Sequence, residues 1–222
     1  MKATVVKCGG AVATEAAETI LAVAATGHAV CVVHGAGPQI TAELRRRGLA
    51  VDFVEGRRVT TAEALAVVRI ELAAVNAALC AAIGDRAVGL MGDELGLRAT
   101  RVPALGLVGD PEPYAPPRLR ELMAAGHIPV VSPLARGPLN VNGDEAAAAL
   151  ALGLRAERIV FLTDVEGLFV DGALASAVRT VDADRLLASR TLQGGIVPKL
   201  RAAVTATRGG VRAEIGATLL VA

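Results

Sequence analysis

Tryptophan is absent from the 222-residue sequence, and the aromatic residues are Tyr114 and three phenylalanines, 2% of the chain. That scarcity removes the stacking platforms used to hold single-stranded nucleic acid. Charge of one sign is lacking as well, since 23 Lys and Arg face 22 Asp and Glu for a net charge of +1. No broad electrostatic footprint for nucleic acid or an acidic membrane follows, and neither partner is expected. The three cysteines, Cys8, Cys31 and Cys80, are widely spaced with no C-x-x-C pair. They offer neither a disulfide framework nor a zinc site, which fits a reducing, cytoplasmic setting. No uninterrupted run of about 18 apolar residues occurs, and no charged, apolar leader precedes the first strand-like residues. Neither a membrane span nor a secretion signal is expected.

What is present is a hydrophobic fraction of 53%, drawn from Ala, Val and Leu. Such a core packs through many small contacts and suits helices laid closely on a sheet. Short β-branched runs alternate with helical stretches along the chain. "ATVVK" (3–7) reads as a strand, followed by a helix from Glu15 to Thr26 with Thr14 as N-cap and Gly27 as its stop. "AVCVVH" (29–34) precedes a helix from Pro38 to Arg47. A long helix over 61–83 opens at "TTAE", where Thr60 and Glu63 have capping-box spacing. "AVGLM" (87–91) reads as a buried strand, 93–113 as irregular or hairpin-like, and 117–125 as a helix leading into "IPVVS" (128–132). A helix after "NVNGDE", the strand "RIVFLT" (158–163), a short helix near Asp182 and a helix from Pro198 to Thr207 follow. Two strand-like ends, "RAEI" and "TLLV", close the chain.

Alternation of apolar strands with helices predicts an α/β fold: a three-layer α/β/α sandwich on a mostly parallel central sheet. Ligands in such sheets sit beyond the carboxyl ends of the strands. Those positions hold "KCGG" (7–10), "HGAGPQ" (34–39), "NVNGDE" (140–145) and "TDVEG" (163–167), with "GGIVPK" (194–199) entering the last helix. Neither a P-loop nor a G-x-G-x-x-G turn follows the first strand, and Lys7 precedes its glycines rather than following them. Each stretch also has a structural reading. Asp144 stands where a helix N-cap belongs, Asn140 and Asn142 suit a turn, and His34 fits a hydrogen-bonded core histidine.

Taken together and in order, "VVKCGGA", "VVHGAGPQI", "FVEGRRVT", "LNVNGDEAAAALA", "FLTDVEGL" and "GGIVPKLRAA" resemble the amino acid kinase family and, within it, its acetylglutamate kinase branch. The resemblance spans nearly the whole chain. It implies transfer of the γ-phosphoryl group of ATP, with Mg²⁺ on the phosphates, to the side-chain carboxylate of N-acetyl-L-glutamate in arginine biosynthesis. It implies that Lys7 and Lys199 flank the transferred group from either side and that Asp144 orients both. Gly9, Gly10, Gly35 and Ala36 would supply backbone donors, with Gly35 and Ala36 on the acceptor. Arg58 would hold the acceptor α-carboxylate, and Asn140 and Asn142 its amide. Thr163, Asp164, Val165, Gly167, Leu168, Gly194, Gly195 and Ile196 would line the nucleotide pocket. No protein-held metal is implied. A single domain is expected, with an acceptor half over about 1–140 and a nucleotide half over about 141–222.

Ala36 stands where the family usually carries glycine, and a left-handed backbone there would be disfavoured. The stretch after the last helix is short for the family, and no N-terminal helix precedes residue 3. By analogy a homodimer insensitive to arginine is expected. Two other readings stay open at this point. One is a related carboxylate kinase acting on a carrier-protein-linked aminoadipate, for which "RRR" (45–47) would be the docking patch. The other is a non-catalytic nucleotide-binding paralogue.

Overall fold

The computed structural model describes residues 2–10, 15–163, 165–170, 172–189, 192 and 194–222. At the centre of an eight-stranded sheet lies β1 (Ala3–Cys8). On one side of it come β2 (Ala29–His34), β8 (Ile128–Ser132) and β5 (Ala87–Met91). On the other come β11 (Arg158–Phe161), β15 (Arg212–Ile215), β16 (Thr218–Val221) and β14 (Ala177–Arg179). All neighbours run parallel except β15 and β16.

The period-two alternation of these strands sorts the core into two clusters. Val5, Cys31 and Val33 pack with α5 (Pro117–Ala124), α6 (Gly143–Leu154), α7 (Thr180–Ser189) and α8 (Ile196–Arg208). Val6, Val30 and Val32 pack with α1 (Ala16–Ala25), α2 (Gly37–Arg46) and α3 (Ala62–Ile83). The result is the expected three-layer sandwich. Alanines let the layers close up: Ala146, Ala147, Ala148 and Ala151 of α6 are all buried. Near the end of α6 a Cβ on Gly153 would sit 2.4 Å from the carbonyl carbon of Tyr114, so only glycine fits there.

Several local expectations are corrected. The strand at 87–91 is the sheet edge and only partly covered. Its sequence is as apolar as that of an interior strand, and only the order of strands distinguishes the two. Thr61, not Thr60, caps α3 by accepting from the N–H of Ala64 at 3.2 Å. The Thr60 hydroxyl is engaged elsewhere, donating to the Arg58 carbonyl at 2.7 Å. The expected Thr14 cap lies outside the described residues.

The stretch at 93–113 forms a hairpin of β6 (Ala99–Arg101) and β7 (Val108–Pro111), preceded by α4 (Gly92–Leu95). With β9 (Leu134–Ala135) and β10 (Leu139–Val141) this hairpin builds a second, four-stranded sheet. Two small ribbons complete the chain: β3 (Phe53–Val54) with β4 (Arg57–Arg58), and β12 (Phe169–Val170) with β13 (Ala173–Leu174). Among the described helices, α3 alone has the length and apolar composition to cross a membrane. Its Leu65, Val68, Leu72 and Leu79 are instead buried in the core.

Candidate active site

Lys7 lies near the end of β1, in register with Val33 of β2 and Phe161 of β11. Strand alternation turns it to the same face as Val5, toward α6. The start of α6 is shaped by Asn142, whose Oδ1 accepts from the N–H groups of Asp144 and Glu145 at 2.9 and 3.2 Å. With the cap supplied by Asn142, the Asp144 carboxylate is free for the lysines. Its Oδ1 accepts from Lys7 Nζ at 2.8 Å and from Lys199 Nζ, on the first turn of α8, at 3.1 Å. Lys7, Asp144 and Lys199 are 7%, 6% and 7% exposed, so the group is a buried charge cluster with an excess of one positive charge.

Burial by itself raises the proton affinity of Asp144, but the two ammonium groups overcome it and hold the carboxyl below its ordinary range. Burial, and then the Lys7 charge, push the Lys199 ammonium below its ordinary value, with Asp144 opposing. Two buried cations on one carboxylate leave an electrostatic demand for an anion beside them.

That anion has room. A cavity of about 430 Å³ is lined by both lysines, Asp144, Gly9, Gly10, Gly35, Ala36, Arg58, Asn140, Asn142 and Gly195, among others. The turns after β1 and β2 form one wall. A Cβ on Gly10 would lie 2.7 Å from the Ala36 Cα and 2.8 Å from the Gly35 oxygen, so the close approach requires glycine. Gln39 ties the turns by donating from Nε2 to the Gly10 carbonyl at 2.9 Å. The expectation that Gly35 offers its amide to a ligand fails, because its N–H already donates to the Cys8 carbonyl at 3.0 Å. Ala36 has φ −141°, an ordinary conformation for an L-residue, so its methyl imposes no backbone strain. His34 is the core histidine its context suggested. Its Nε2 lies 3.0 Å from Ser132 Oγ and 3.1 Å from Asn76 Nδ2, and burial lowers its pKa to about 4.

Arg58, on β4, donates from Nη2 to Thr41 Oγ1 at 2.8 Å and to the Gly37 carbonyl at 3.3 Å. Its guanidinium stacks 4.5 Å from the Phe53 ring centroid. Its buried Nη1 has no hydrogen-bond partner, an unmet donor on a fork suited to a carboxylate. Asn140 donates to Thr60 Oγ1 at 3.0 Å. Asn142 uses Nδ2 on the Gly56 carbonyl at 3.0 Å, so both ends of that amide are engaged within the protein.

The residues expected on the nucleotide side are less gathered. Gly195 lines the cavity, Ile196 opens α8, and Gly194 takes a left-handed turn at φ +69°. Thr163 and Val165 lie just beyond β11, Val165 exposed. Gly167 approaches Thr218 closely, and Leu168 is buried in the core, away from the cavity wall. Asp164 falls outside the described residues. Two charged residues that the sequence does not single out join the site: Arg57, beside Arg58, and Glu145, beside Asp144, are ion-paired at 3.0 Å. Their only signal in sequence is opposite charge flanking two singled-out residues.

The family model described as amino acid kinase family matches residues 2–216. An acetylglutamate kinase of Rubrobacter xylanophilus is 43% identical over 224 residues, covering 97% of this chain and 88% of its own. An acetylglutamate kinase of Dinoroseobacter shibae is 39% identical over 195 residues, covering 83% of this chain and 68% of its own. Among solved structures, smu.665 from Streptococcus mutans superposes with a TM-score of 0.89 at 24% identity, over 98% of each chain. At that identity the likeness speaks for the fold. The chain belongs to the amino acid kinase family. Within the family its sequence stands with the acetylglutamate kinases.

Proposed function

We propose that the protein is an acetylglutamate kinase, transferring the γ-phosphoryl group of ATP to the side-chain carboxylate of N-acetyl-L-glutamate and forming N-acetyl-glutamyl 5-phosphate in arginine biosynthesis. The observation that carries this reading is the pair of lysines, from the first strand and the last helix, sharing Asp144 Oδ1 at the wall of one cavity. An acceptor carboxylate with an ordinary pKa of about 4.3 is already ionised at neutral pH. No general base is needed, and the barrier is the approach of two anions with charge spreading over the moving group. Lys7 and Lys199 answer that demand, and Asp144 fixes where their ammonium groups point.

ATP and Mg²⁺ fit what the residues provide. The glycine turns give a phosphate room to approach, and the cluster's extra positive charge matches it. No group of three His, Cys, Asp or Glu residues able to hold a metal occurs among the described residues. Mg²⁺ would be carried on the nucleotide phosphates and water, where it neutralises phosphate charge. On this reading Ala36, Arg58 and Asn140 serve the acceptor, Gly35 lines its side of the cavity without offering its amide, Gly9 and Gly10 face the phosphates, and Lys7 and Lys199 stand between the two.

Neither rival gains support. Arg46 and Arg47 of the basic triplet both pair with Glu43, at 2.6 and 2.7 Å, as a solvated helix end does. A protein that only binds nucleotide has no need of a second buried lysine poised for transfer. Two copies would meet across the uncapped edge of β5 and the outer face of α3, where Ile70 is 53% exposed. Among the described residues the outer edge of β5 has no partner strand and is open to continuation by a second copy, which a molecular-mass measurement in solution checks. Three unpaired cysteines, two of them buried, suit the cytoplasm.

The test is ATP- and Mg²⁺-dependent acyl-phosphate formation trapped with hydroxylamine, with N-acetyl-L-glutamate beside glutamate, aspartate and N-acetyl-aminoadipate. Turnover selective for N-acetyl-L-glutamate is expected. ATP binding without turnover on any acceptor overturns the reading in favour of the regulatory paralogue.

A further inference from the structure

We propose that Arg57 is a positioning residue for the acceptor: with Glu145 and Asp110 it latches the β3–β4 hairpin, and with it Arg58, onto the first turn of α6. This rests on the acceptor role proposed for Arg58.

The hairpin pairs only Phe53 with Arg58 and Val54 with Arg57, and it joins no larger sheet. Phe53 and Val54 are exposed, so the ribbon has little apolar burial to fix it. An isolated two-stranded ribbon of this kind is marginal in water. What holds it is polar. Arg57 Nε lies 3.0 Å from both carboxylate oxygens of Glu145, and Arg57 Nη2 lies 2.8 Å from Asp110 Oδ1. The Arg57 and Glu145 side chains are 22% and 21% exposed, which shields the pair from the screening that weakens surface bridges. The other ion pair on the ribbon, Arg201 with Glu55 at 3.3 Å, is largely exposed and holds it less firmly.

The far end of the latch is what gives it a function. Glu145 follows Asp144 in the same helical turn and shares the Asn142 cap with it. Arg57 therefore ties the strand that presents Arg58 to the turn that presents the Asp144 carboxylate. On the proposed reading Arg58 holds one end of the acceptor and the lysines that Asp144 orients meet the other, so the tie fixes the distance the acceptor must span. Arg57 also lines both the site cavity and a second one of about 360 Å³ that Glu145 and Asp110 line as well.

The experiment compares wild type, Arg57→Met, and the swap Arg57→Glu with Glu145→Arg. Hydrogen exchange at residues 53–58 reads the latch itself, and steady-state kinetics read its effect on the acceptor. Arg57→Met is expected to speed exchange in the hairpin and raise KM for N-acetyl-L-glutamate about tenfold. KM for ATP should stay within about twofold, and the swap should recover much of the acceptor affinity. Asp110→Asn, which removes one exposed partner, should move both readouts less in the same direction and serves if Arg57→Met fails to fold. Unchanged hairpin exchange, or an equal rise in both KM values, overturns the latch. Wild type inactive on every acceptor overturns the kinase reading, while the exchange data still decide the latch.

Discussion

Lys7 and Lys199 share one oxygen: both ammonium groups rest on Oδ1 of Asp144, at 2.8 and 3.1 Å. A single carboxylate thus balances two buried cations, and its loss should hurt in a particular way. With Asp144→Asn the lysines keep their places in sequence but lose the charge that holds them together, so turnover should fall by about a hundredfold or more. Lys199→Ala should do at least as much. Undiminished turnover in Lys199→Ala would end the role assigned to it.

The same cluster predicts a pH limit. Lys199 acts as an ammonium, and burial together with the Lys7 charge lowers its pKa from 10.5. The alkaline limb of kcat should therefore set in below pH 10.5. Asp144→Asn, by removing the opposing negative charge, should move that limb further down. A limb unmoved by the substitution would detach Lys199 from the profile.

Arg58 should separate binding from chemistry. Its Nη2 is held by Thr41 and Gly37 while Nη1 is buried and unpaired. Arg58→Lys keeps the charge but cannot reproduce the fork or the stacking on Phe53. KM for N-acetyl-L-glutamate should rise about tenfold with a smaller change in kcat. Initial-rate kinetics at saturating ATP measure both, and an unchanged KM would remove Arg58 from the acceptor site.

His34 gives a stability prediction independent of activity. Its pKa is lowered from 6.5 to about 4, chiefly by burial. Between those values the unfolded chain binds a proton that the folded protein does not, so stability falls as pH drops from 6.5 toward 4 and levels off below. The contribution lost is on the order of 3 kcal/mol. Denaturant unfolding across this range should show it, and His34→Gln should flatten that segment of the curve.

How much of this is legible in sequence follows from what local pattern encodes. Lys199 is a local anomaly among Ile196, Val197 and Leu200, whereas Lys7 and Asp144 stand out only through the ordered motifs that resemble the family, since Asp144 alone reads as a helix cap. The three layers are legible because Val5 and Val6 must face opposite ways. The edge position of 87–91 is not, since strand order is set by crossovers and not by the strand's own residues. Two-residue strands such as 53–54 and 57–58 are too short to show a period. The bond from Arg57 to Glu145 joins residues far apart in the chain, and no spacing rule reaches that distance. The cap of α6 misleads in sequence: Asp144 stands where a cap belongs and Asn142 suits a turn, whereas in the structure Asn142 Oδ1 caps the helix and the Asp144 carboxylate goes to the lysines.

Asn142 makes that last point testable. Its Oδ1 caps α6 while its Nδ2 holds the Gly56 carbonyl at the hairpin turn, so one side chain serves both stability and the placement of the ribbon. Asn142→Ala removes both and should lower stability by about 1 kcal/mol, or about 2–4 °C in Tm. Asn142→Ser keeps a good capping oxygen but is too short to reach Gly56. It should restore most of the lost stability while hairpin exchange stays fast and the acceptor KM stays raised. If serine restores the acceptor KM along with Tm, the Gly56 bond has no part in placing the hairpin and the cap alone accounts for Asn142.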